Sequence, residues 1–215
     1  MVERLQETLK GATFVDLDGT LITENSMRIF MRKLPGILLK RKAPGAAIAA
    51  LWWIWLRAMR ITSHRNMKWH LTRLGRRHLG ESDWESIAEQ ITLALDPDVS
   101  NFIETRKKLG CLIYIATAAP EEYSVPLCRI LGYDGVIATI FSENPGEYEE
   151  MKGYAKHDSI EHLLADAHLR LESFLTDHPD DIPTASAYPG LTIIVHPTKK
   201  TAEQFHEVGV SRYLH

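Results

Sequence analysis

The chain of 215 residues is long enough for one ordinary domain with a large insertion. Its composition, with 45% hydrophobic and 25% charged residues, is that of a globular protein and excludes a disordered chain. The formal net charge of −3 hides an asymmetry, because residues 25–80 hold 13 Lys and Arg and no Asp or Glu.

The N-terminal residues come first in chain order. Residues 1–10 are polar and of mixed charge, so we expect no signal peptide and a cytoplasmic protein. The longest apolar run, residues 46–56, is shorter than the about 20 residues that a membrane-spanning helix needs. Cys111 and Cys128 show neither disulfide-framework nor zinc-site spacing, and we expect both to be reduced and buried.

Short apolar runs alternate with helical patterns along most of the chain. Runs rich in β-branched residues predict strands at residues 12–16, 112–117, 136–141, 173–176 and 191–195. Helical patterns predict helices at residues 100–109, 121–131, 157–167 and 201–208. This alternation predicts an α/β fold with a Rossmann-like parallel sheet core, in which ligands bind at the carboxyl ends of the strands.

Residues 25–80, which we call the basic block, interrupt this alternation between the first and second strands. Helix candidates lie near residues 27–32, 44–60 and 65–78 within the block and near 84–95 after it, punctuated by Pro35-Gly36 and Pro44-Gly45. We predict an α-helical cap domain, residues 23–96, inserted into a core domain of residues 1–22 and 97–215. Such a cap would exclude water and select the substrate, and its charge indicates that it faces something anionic.

Aspartates follow two of the predicted strands. Asp16 and Asp18 come at the end of the first strand, and Asp177, Asp180 and Asp181 follow the fourth. Carboxylates that are crowded together repel one another unless a cation neutralises them. Mg²⁺ suits a cluster of hard oxygen ligands, so the sequence predicts a Mg²⁺ site.

Four short segments form a pattern through their order, their spacing and their placement relative to the predicted strands. They are Asp16-Leu17-Asp18-Gly19-Thr20, Tyr114-Ile115-Ala116-Thr117, Gly153-Tyr154-Ala155-Lys156, and Asp177-His178-Pro179-Asp180-Asp181 with Ile182-Pro183 after it. Together they resemble the haloacid dehalogenase (HAD) superfamily, whose members are mostly Mg²⁺-dependent phosphohydrolases. Finer details resemble its phosphoserine-phosphatase-like branch, subfamily IB, with a helical C1-type cap. These details are Thr117-Ala118-Ala119-Pro120-Glu121-Glu122-Tyr123, Gly153-x-x-Lys156, and Val195-His196-Pro197, in which His196 replaces the usual Asn.

The resemblance implies a role for each aspartate. Asp16 would attack phosphorus to give an aspartyl-phosphate and would bind Mg²⁺. Asp18 would protonate the leaving oxygen and then activate water, and its backbone carbonyl would bind the same ion. Asp177 would bind Mg²⁺ directly, and Asp181 would act from behind the metal ligands by orienting Lys156 or the water around the ion.

The resemblance also implies the groups that hold the phosphate. The Thr117 hydroxyl and the Ala118 amide would hydrogen-bond phosphate oxygens, and Lys156 would pair with Asp16 and the phosphate. Lys152 competes with Lys156 for the third motif, although the spacing from the preceding glycine favours Lys156. In the same way Asp180 competes with Asp181 for the fourth motif, although alignment on Ile182-Pro183 favours Asp181.

The substrate is less well defined than the chemistry. Phosphoserine phosphatases usually carry a Glu shortly after the first motif, and that place holds Asn25 here, beside Glu24. Because residues 25–80 of the cap contain no acid, we expect a small phosphorylated metabolite with additional negative charge or with an apolar arm. Hydrolysis of a phosphomonoester through the aspartyl-phosphate is the leading interpretation. A phosphotransferase or mutase with the same intermediate, and a lipid-phosphate phosphatase at a membrane surface, are the alternatives.

The cap also carries an apolar stripe that is flanked by Arg57 and Arg60. The stripe consists of Leu51, Trp52, Trp55 and Leu56. We expect it to pack inside the cap, while contact with an anionic membrane surface is an alternative that we do not favour. A homodimer contact is a further alternative, so monomer and homodimer both stay open. The basic block does not favour nucleic acid as a partner, because no nucleic-acid-binding module accompanies it.

Overall fold

A computed structural model describes residues 9–214 of the chain. Six strands in this range form one sheet: β1 (Lys10–Val15), β2 (Leu112–Pro120), β3 (Gly135–Thr139), β4 (Leu169–Thr176), β5 (Thr192–Val195) and β6 (Tyr213–Leu214). Their order is β3-β2-β1-β4-β5-β6 and every pairing is parallel, which confirms the predicted Rossmann-like α/β core. Residues 1–8 lie outside the described residues. They include most of the segment in which we expect no signal peptide, and the start of the predicted core domain.

Nine α-helices lie in the described range. Four of them, α1 (Ser26–Lys40), α2 (Pro44–Ala58), α3 (His64–His78) and α4 (Glu81–Thr92), follow β1 and confirm a helical insertion after the first strand. The others are α5 (Pro97–Lys108), α6 (Glu121–Ile130), α7 (Tyr154–Asp166), α8 (Ile182–Ala187) and α9 (Lys199–Glu207). Among residues 9–214, no helix combines the length and the apolar character needed to span a bilayer.

β1 is buried on both faces, as the central strand of a covered parallel sheet should be. Val15 packs into an apolar cluster that includes Ile115 of β2 and extends into the inserted helices at Phe30. Phe14 points to the opposite face and packs with Ile160 of α7. This alternation anchors the strand that delivers Asp16, and the first cluster joins the sheet and the inserted helices in one interior.

Some predicted elements need correction. The strand predicted at residues 173–176 already begins at Leu169, the helix predicted near 27–32 continues to Lys40, and β6 and α8 were not predicted. Pro35 lies inside α1, although proline usually interrupts a helix. Leu34 and Leu38 on either side of it are fully buried, so tertiary packing outweighs the local cost of the proline.

The chain passes between sheet and inserted helices at two adjacent crossings. The Thr23 amide donates to the Ala94 carbonyl, and the Asp96 amide donates to the Leu21 carbonyl, each at 2.9 Å. The buried Asp96 carboxylate also lies 2.8 Å from the His196 ring nitrogen Nε2, in the loop after β5. The second crossing is therefore tied directly to the core of the molecule.

α2 buries two of its small side chains and exposes several of its large ones. Ala47 and Ala50 are buried, and they let α2 approach its neighbours closely. The exposed fractions are 55% for Leu51, 54% for Trp52 and 48% for Trp55, whereas Leu56 is partly buried. The prediction that this stripe packs inside the cap is therefore wrong for its first three members, because the inner face of α2 is formed by Ala47 and Ala50 together with Trp53 and Ile54, which pack against the core.

α3 turns part of its basic side toward acidic residues of the core. Arg76 Nη1 lies 2.7 Å from Glu122 of α6. Lys68, which is buried, forms an ion pair with Glu150 in the segment before α7. Part of the positive charge of the basic block is thus neutralised within the chain itself.

Candidate active site

The turn after β1 holds Asp16 at the carboxyl end of the sheet. The Asp16 amide donates to the Leu175 carbonyl of β4 at 2.9 Å, and the Asp16 carbonyl accepts from the Leu21 amide at 3.1 Å. These bonds close the turn around the aspartate, whose side chain is buried. The first motif is therefore a rigid extension of the central strand.

Gly19 makes room for Asp177, which arrives from the end of β4. Gly19 has a φ of +81°, a conformation that strains any residue with a side chain. A Cβ at this position would lie 2.3 Å from Asp177 Oδ2. The Thr20 hydroxyl donates to Asp177 Oδ1 at 3.0 Å. The structure thus brings Asp177 against the turn that carries Asp16.

Asp18 lies where the core meets the first inserted helix. Its Oδ1 accepts a hydrogen bond of 2.6 Å from the Ser26 amide, which opens α1. The Ser26 hydroxyl in turn lies 3.2 Å from the hydroxyl of Tyr123 on α6. Because the N-terminus of a helix favours negative charge, α1 helps to hold the Asp18 carboxylate in the cavity that Asp16 also lines.

Thr117 and Ala118 face the same cavity near the end of β2. Thr117 Oγ1 accepts from the Ala119 amide at 3.0 Å, so the hydroxyl proton is left to donate to a ligand. The Ala118 carbonyl accepts from the Thr139 hydroxyl at 2.7 Å and from Lys68 Nζ at 3.1 Å. These bonds fix the backbone beside Thr117.

Lys156 reaches Asp16 from the first turn of α7. Its Nζ lies 2.9 Å from Asp16 Oδ1 and 2.7 Å from Asp181 Oδ1, and the side chain is buried. Lys152 lies nearer the surface, where its Nζ is 3.7 Å from Asp180. Of the two candidate lysines, the structure brings Lys156 to Asp16.

Asp181 occupies the interior of the site, whereas Asp180 is exposed. Asp181 Oδ2 accepts from the Thr176 hydroxyl at 2.7 Å and from Lys156 Nζ at 3.0 Å. Thr176 is the last residue of β4, so the strand end itself fixes the acid. Of the two candidate acids, Asp181 is therefore the one in position to orient Lys156.

Burial perturbs the charges of this site. It raises the pKa of Asp16 to about 8, although Lys156 opposes the shift, and repulsion from Asp181 and Asp177 adds to it. Burial likewise raises the pKa of Asp18 and the pKa of Asp177. Burial alone would lower the pKa of Lys156, but Asp16 and Asp181 raise it, so the lysine stays charged. One buried lysine does not neutralise the whole acidic group.

The donor set at the strand ends fits Mg²⁺. Lys156 Nζ donates to Asp16 Oδ1, whereas Asp16 Oδ2 accepts no hydrogen bond from residues 9–214. Hard carboxylate and carbonyl oxygens are the ligands that this ion prefers. A divalent cation would stabilise the charged forms of carboxylates whose pKa values burial has raised. Asp16, the carbonyl of Asp18 and Asp177 are the groups that would hold it.

A second group of candidate ligands lies at the crossing between sheet and inserted helices. Ligand atoms of Asp96, Asp98 and His196 lie within 4.8 Å of one another. The Asp96 carboxylate is already satisfied by the His196 ring and by two backbone amides at the start of α5. We therefore assign no metal to this group.

One cavity of about 660 Å³ joins the predicted site residues. Its lining contains all of them: Asp16, Asp18, Thr117, Ala118, Lys156, Asp177 and Asp181. The inserted helices add Arg28, Arg32, His64 and Lys68, for which the motifs predict no place in the site. The net charge of the basic block is the signal that points to them. The pairing of Lys68 with Glu150 joins positions 82 residues apart, and no local pattern predicts it.

Comparisons with known proteins agree with this geometry. A family model for haloacid dehalogenase-like hydrolase matches residues 13–186. A search of curated proteins found no significant match. Among solved structures, the fold is similar to that of a protein with unknown function from Bordetella pertussis Tohama I, with a TM-score of 0.72 and 18% sequence identity. That alignment covers 97% of this chain and 99% of the other.

Two phosphoserine phosphatase structures share the fold as well. The apo form of one has a TM-score of 0.62 and 15% identity, over 95% of this chain and 93% of the other. A phospho-aspartyl intermediate analogue has a TM-score of 0.56 and 16% identity, over 96% of this chain and 93% of the other. At these identities the structures establish the fold, while the family model spans most of the chain and confirms the family that the motifs predict. The chain belongs to the haloacid dehalogenase-like hydrolase family.

Proposed function

We propose that this protein is a Mg²⁺-dependent phosphatase that hydrolyses a small phosphomonoester through an aspartyl-phosphate on Asp16. The observation that carries the proposal is the contact of Asp16 with Lys156, 2.9 Å apart, in a cavity that Asp18 and Asp177 also line. This arrangement brings together a candidate nucleophile, a candidate general acid, a buried lysine and the groups that would bind the metal ion. The phospho-aspartyl analogue of phosphoserine phosphatase with the same fold supports the chemistry.

The first half-reaction transfers the phosphoryl group to the enzyme. Asp16 Oδ2, which accepts no hydrogen bond from the described residues, attacks phosphorus while the bond from phosphorus to the ester oxygen breaks. The protonated Asp18 carboxyl gives its proton to the leaving oxygen, and the raised pKa of Asp18, caused by burial, favours that protonated form. Bound Mg²⁺ would reduce the repulsion between the Asp16 carboxylate and the phosphate.

The second half-reaction returns the enzyme to its starting state. The Asp18 carboxylate takes a proton from a water molecule, whose oxygen attacks phosphorus as the bond to Asp16 breaks. Inorganic phosphate leaves, and Asp16 is again a carboxylate. Lys156 and the Thr117 hydroxyl hold the phosphoryl oxygens in both steps, and Asp181 keeps Lys156 in position. A phosphotransferase would use an alcohol in place of water, so release of phosphate without an acceptor separates the two functions.

The inserted helices support a substrate with a second anionic group. Arg28 and Arg32 of α1 and Lys68 of α3 line the cavity on the side of the cap. Lys68 is paired with Glu150 and Arg32 with Glu24, but Arg28 forms no ion pair among residues 9–214. Arg28 is therefore the cation that remains available to a carboxylate or a second phosphate on the substrate.

A panel of phosphomonoesters assayed with Mg²⁺ tests the proposal. Asp16→Asn should lower kcat by at least about 10⁴-fold, because the amide is a poor nucleophile. Asp180→Asn is the matched control, since it changes an exposed acid of the same cavity and should leave kcat within about fivefold. Retained turnover in Asp16→Asn would contradict the assignment of the nucleophile.

The same panel tests the substrate class. Arg28→Gln should raise KM at least about tenfold for phosphomonoesters with a second anionic group and leave KM for uncharged alkyl phosphates unchanged. Lys33→Gln removes a charge from α1 outside the cavity lining and serves as the control. Preferred turnover of esters that carry an ammonium group would reject this substrate class.

A further inference from the structure

α2 presents a continuous apolar stripe on the outer surface of the molecule. This exposed stripe shares Leu51, Trp52 and Trp55 with the predicted one, lacks Leu56, and adds Ile48 and the C-cap residue Met59. Its members recur at intervals of three and four residues, which places them on one helical face. Each of these side chains is about half exposed or more, up to 69% for Ile48. Trp52 and Trp55 stack with ring centroids 5.0 Å apart. An exposed apolar face of this kind marks an interaction site.

Cations flank the stripe at both ends. Lys40 and Lys42 precede α2, and Arg57 and Arg60 close it. None of these four forms an ion pair with a carboxylate within residues 9–214, in contrast to Lys68 and its partner Glu150. Since residues 25–80 contain no acid, the field over this surface is positive.

An apolar stripe between unpaired cations matches an anionic lipid bilayer. Trp and Leu side chains are stable at the boundary between headgroups and acyl chains, and Lys and Arg beside them attract anionic headgroups. A second copy of the chain is a poorer match. Two-fold self-association would bring the same cationic rims together, and residues 25–80 offer no acid to meet them.

The stripe ends close to the candidate active site. Residues 59–63 connect α2 to α3, and the first residue of α3, His64, lines the cavity. Ile61 in this connection is 65% exposed. α1, which packs along α2, contributes Arg28 and Arg32 to the same cavity. A bilayer that contacts α2 would therefore lie beside the cavity.

We propose that the outer face of α2 docks this protein on anionic lipid bilayers. The apolar stripe enters the headgroup region, and Lys40, Lys42, Arg57 and Arg60 pair with lipid phosphates around it. Docking uses none of the residues assigned to the reaction, so it stands or falls separately from the proposed phosphatase function.

Vesicle co-sedimentation at low ionic strength tests the docking. The full-length protein should sediment with vesicles of phosphatidylcholine mixed with phosphatidylglycerol and stay in solution with phosphatidylcholine alone. W52Q/W55Q should weaken binding at least about tenfold, because both apolar rings are lost. Its control is L93Q/L109Q, which changes two exposed leucines outside α2 and should bind as the wild type does.

A second pair of variants tests the electrostatic part. K40Q/K42Q should weaken binding about 30-fold, because each cation near an anionic surface contributes about fivefold. K199Q/K200Q removes the same charge from exposed positions of α9 and should leave binding unchanged. The proposal would be overturned if the wild-type protein did not bind anionic vesicles, or if all variants bound them equally. A dimer in sedimentation velocity that W52Q/W55Q abolishes, without vesicle binding, would assign the stripe to a second copy instead.

Discussion

Gly19→Ala tests how the two strand ends meet. Gly19 has a φ of +81°, so alanine at this position costs about 1–2 kcal/mol in backbone strain. The added Cβ would also lie 2.3 Å from Asp177 Oδ2, whereas ordinary contact begins at 3.4 Å. The carboxylate of Asp177 must therefore move by about 1 Å, several times the about 0.2 Å tolerance of a metal–ligand distance.

Two losses should follow from that displacement. The affinity for Mg²⁺ should fall at least about tenfold, because a proposed ligand leaves its position. kcat/KM should fall about 100-fold, the cost typical of a misplacement by one ångström. Gly110→Ala is the matched control, because Gly110 has a φ of +82° but an added Cβ there would meet no neighbouring atom within 4 Å. It should share the loss of stability and keep Mg²⁺ affinity and turnover.

The assay combines calorimetric titration with Mg²⁺, kcat/KM at saturating Mg²⁺ and the free energy of unfolding in urea. Gly19→Ala should lose at least as much unfolding free energy as Gly110→Ala, and only Gly19→Ala should lose metal affinity and activity. If Gly19→Ala binds Mg²⁺ and turns over substrate as Gly110→Ala does, Asp177 is not a metal ligand and the reasoning fails.

Two further predictions concern buried ion pairs. Lys156→Met should lower the unfolding free energy in urea by about 3 kcal/mol, because it leaves Asp16 and Asp181 facing each other, whereas Lys152→Met should cost less than about 1 kcal/mol. Equal losses would contradict the central place of Lys156. Lys68→Met should also cost about 3 kcal/mol, and adding Glu150→Gln should restore part of it. Burial would raise the pKa of Glu150, but Lys68 lowers it below its usual value of 4.5. The ion pair therefore stabilises the fold fully above pH 4.5. This stabilisation is lost as the pH falls through the lowered pKa of Glu150. The difference between wild type and Lys68→Met should therefore shrink below about pH 4, and a constant difference would exclude this pair as its source.

The sequence predicts both the sheet and the position of the candidate site because the site residues follow directly on the apolar runs that form the strands. Apolar runs buried on both faces mark parallel strands, and ligands collect where those strands end. Asp16 and Asp177 directly follow β1 and β4, and Thr117 lies near the end of β2. The choice of Lys156 over Lys152 depended on spacing within one motif, and the geometry at Asp16 agrees with that choice.

Other features depend on packing that no local pattern records. α2 is apolar nearly all round, so its periodicity does not tell which face is inside. The folded structure turns Ala47, Ala50, Trp53 and Ile54 inward. The helix through Pro35 is stabilised by buried leucines that contact distant elements. The ion pair of Lys68 with Glu150 joins two segments far apart in the chain, so only the folded structure identifies it.

The central claim is that Asp16 captures phosphorus, and trapping the acyl-phosphate tests it most directly. An Asp18→Asn variant is mixed with p-nitrophenyl phosphate and Mg²⁺, since this leaving group needs no acid while hydrolysis of the intermediate still needs a base. Borohydride treatment of the quenched protein converts an aspartyl-phosphate into homoserine, which peptide mass spectrometry locates. We predict homoserine at position 16, dependent on Mg²⁺ and absent from Asp16→Asn. Homoserine at another aspartate, or release of p-nitrophenol with no homoserine at position 16, would contradict the account.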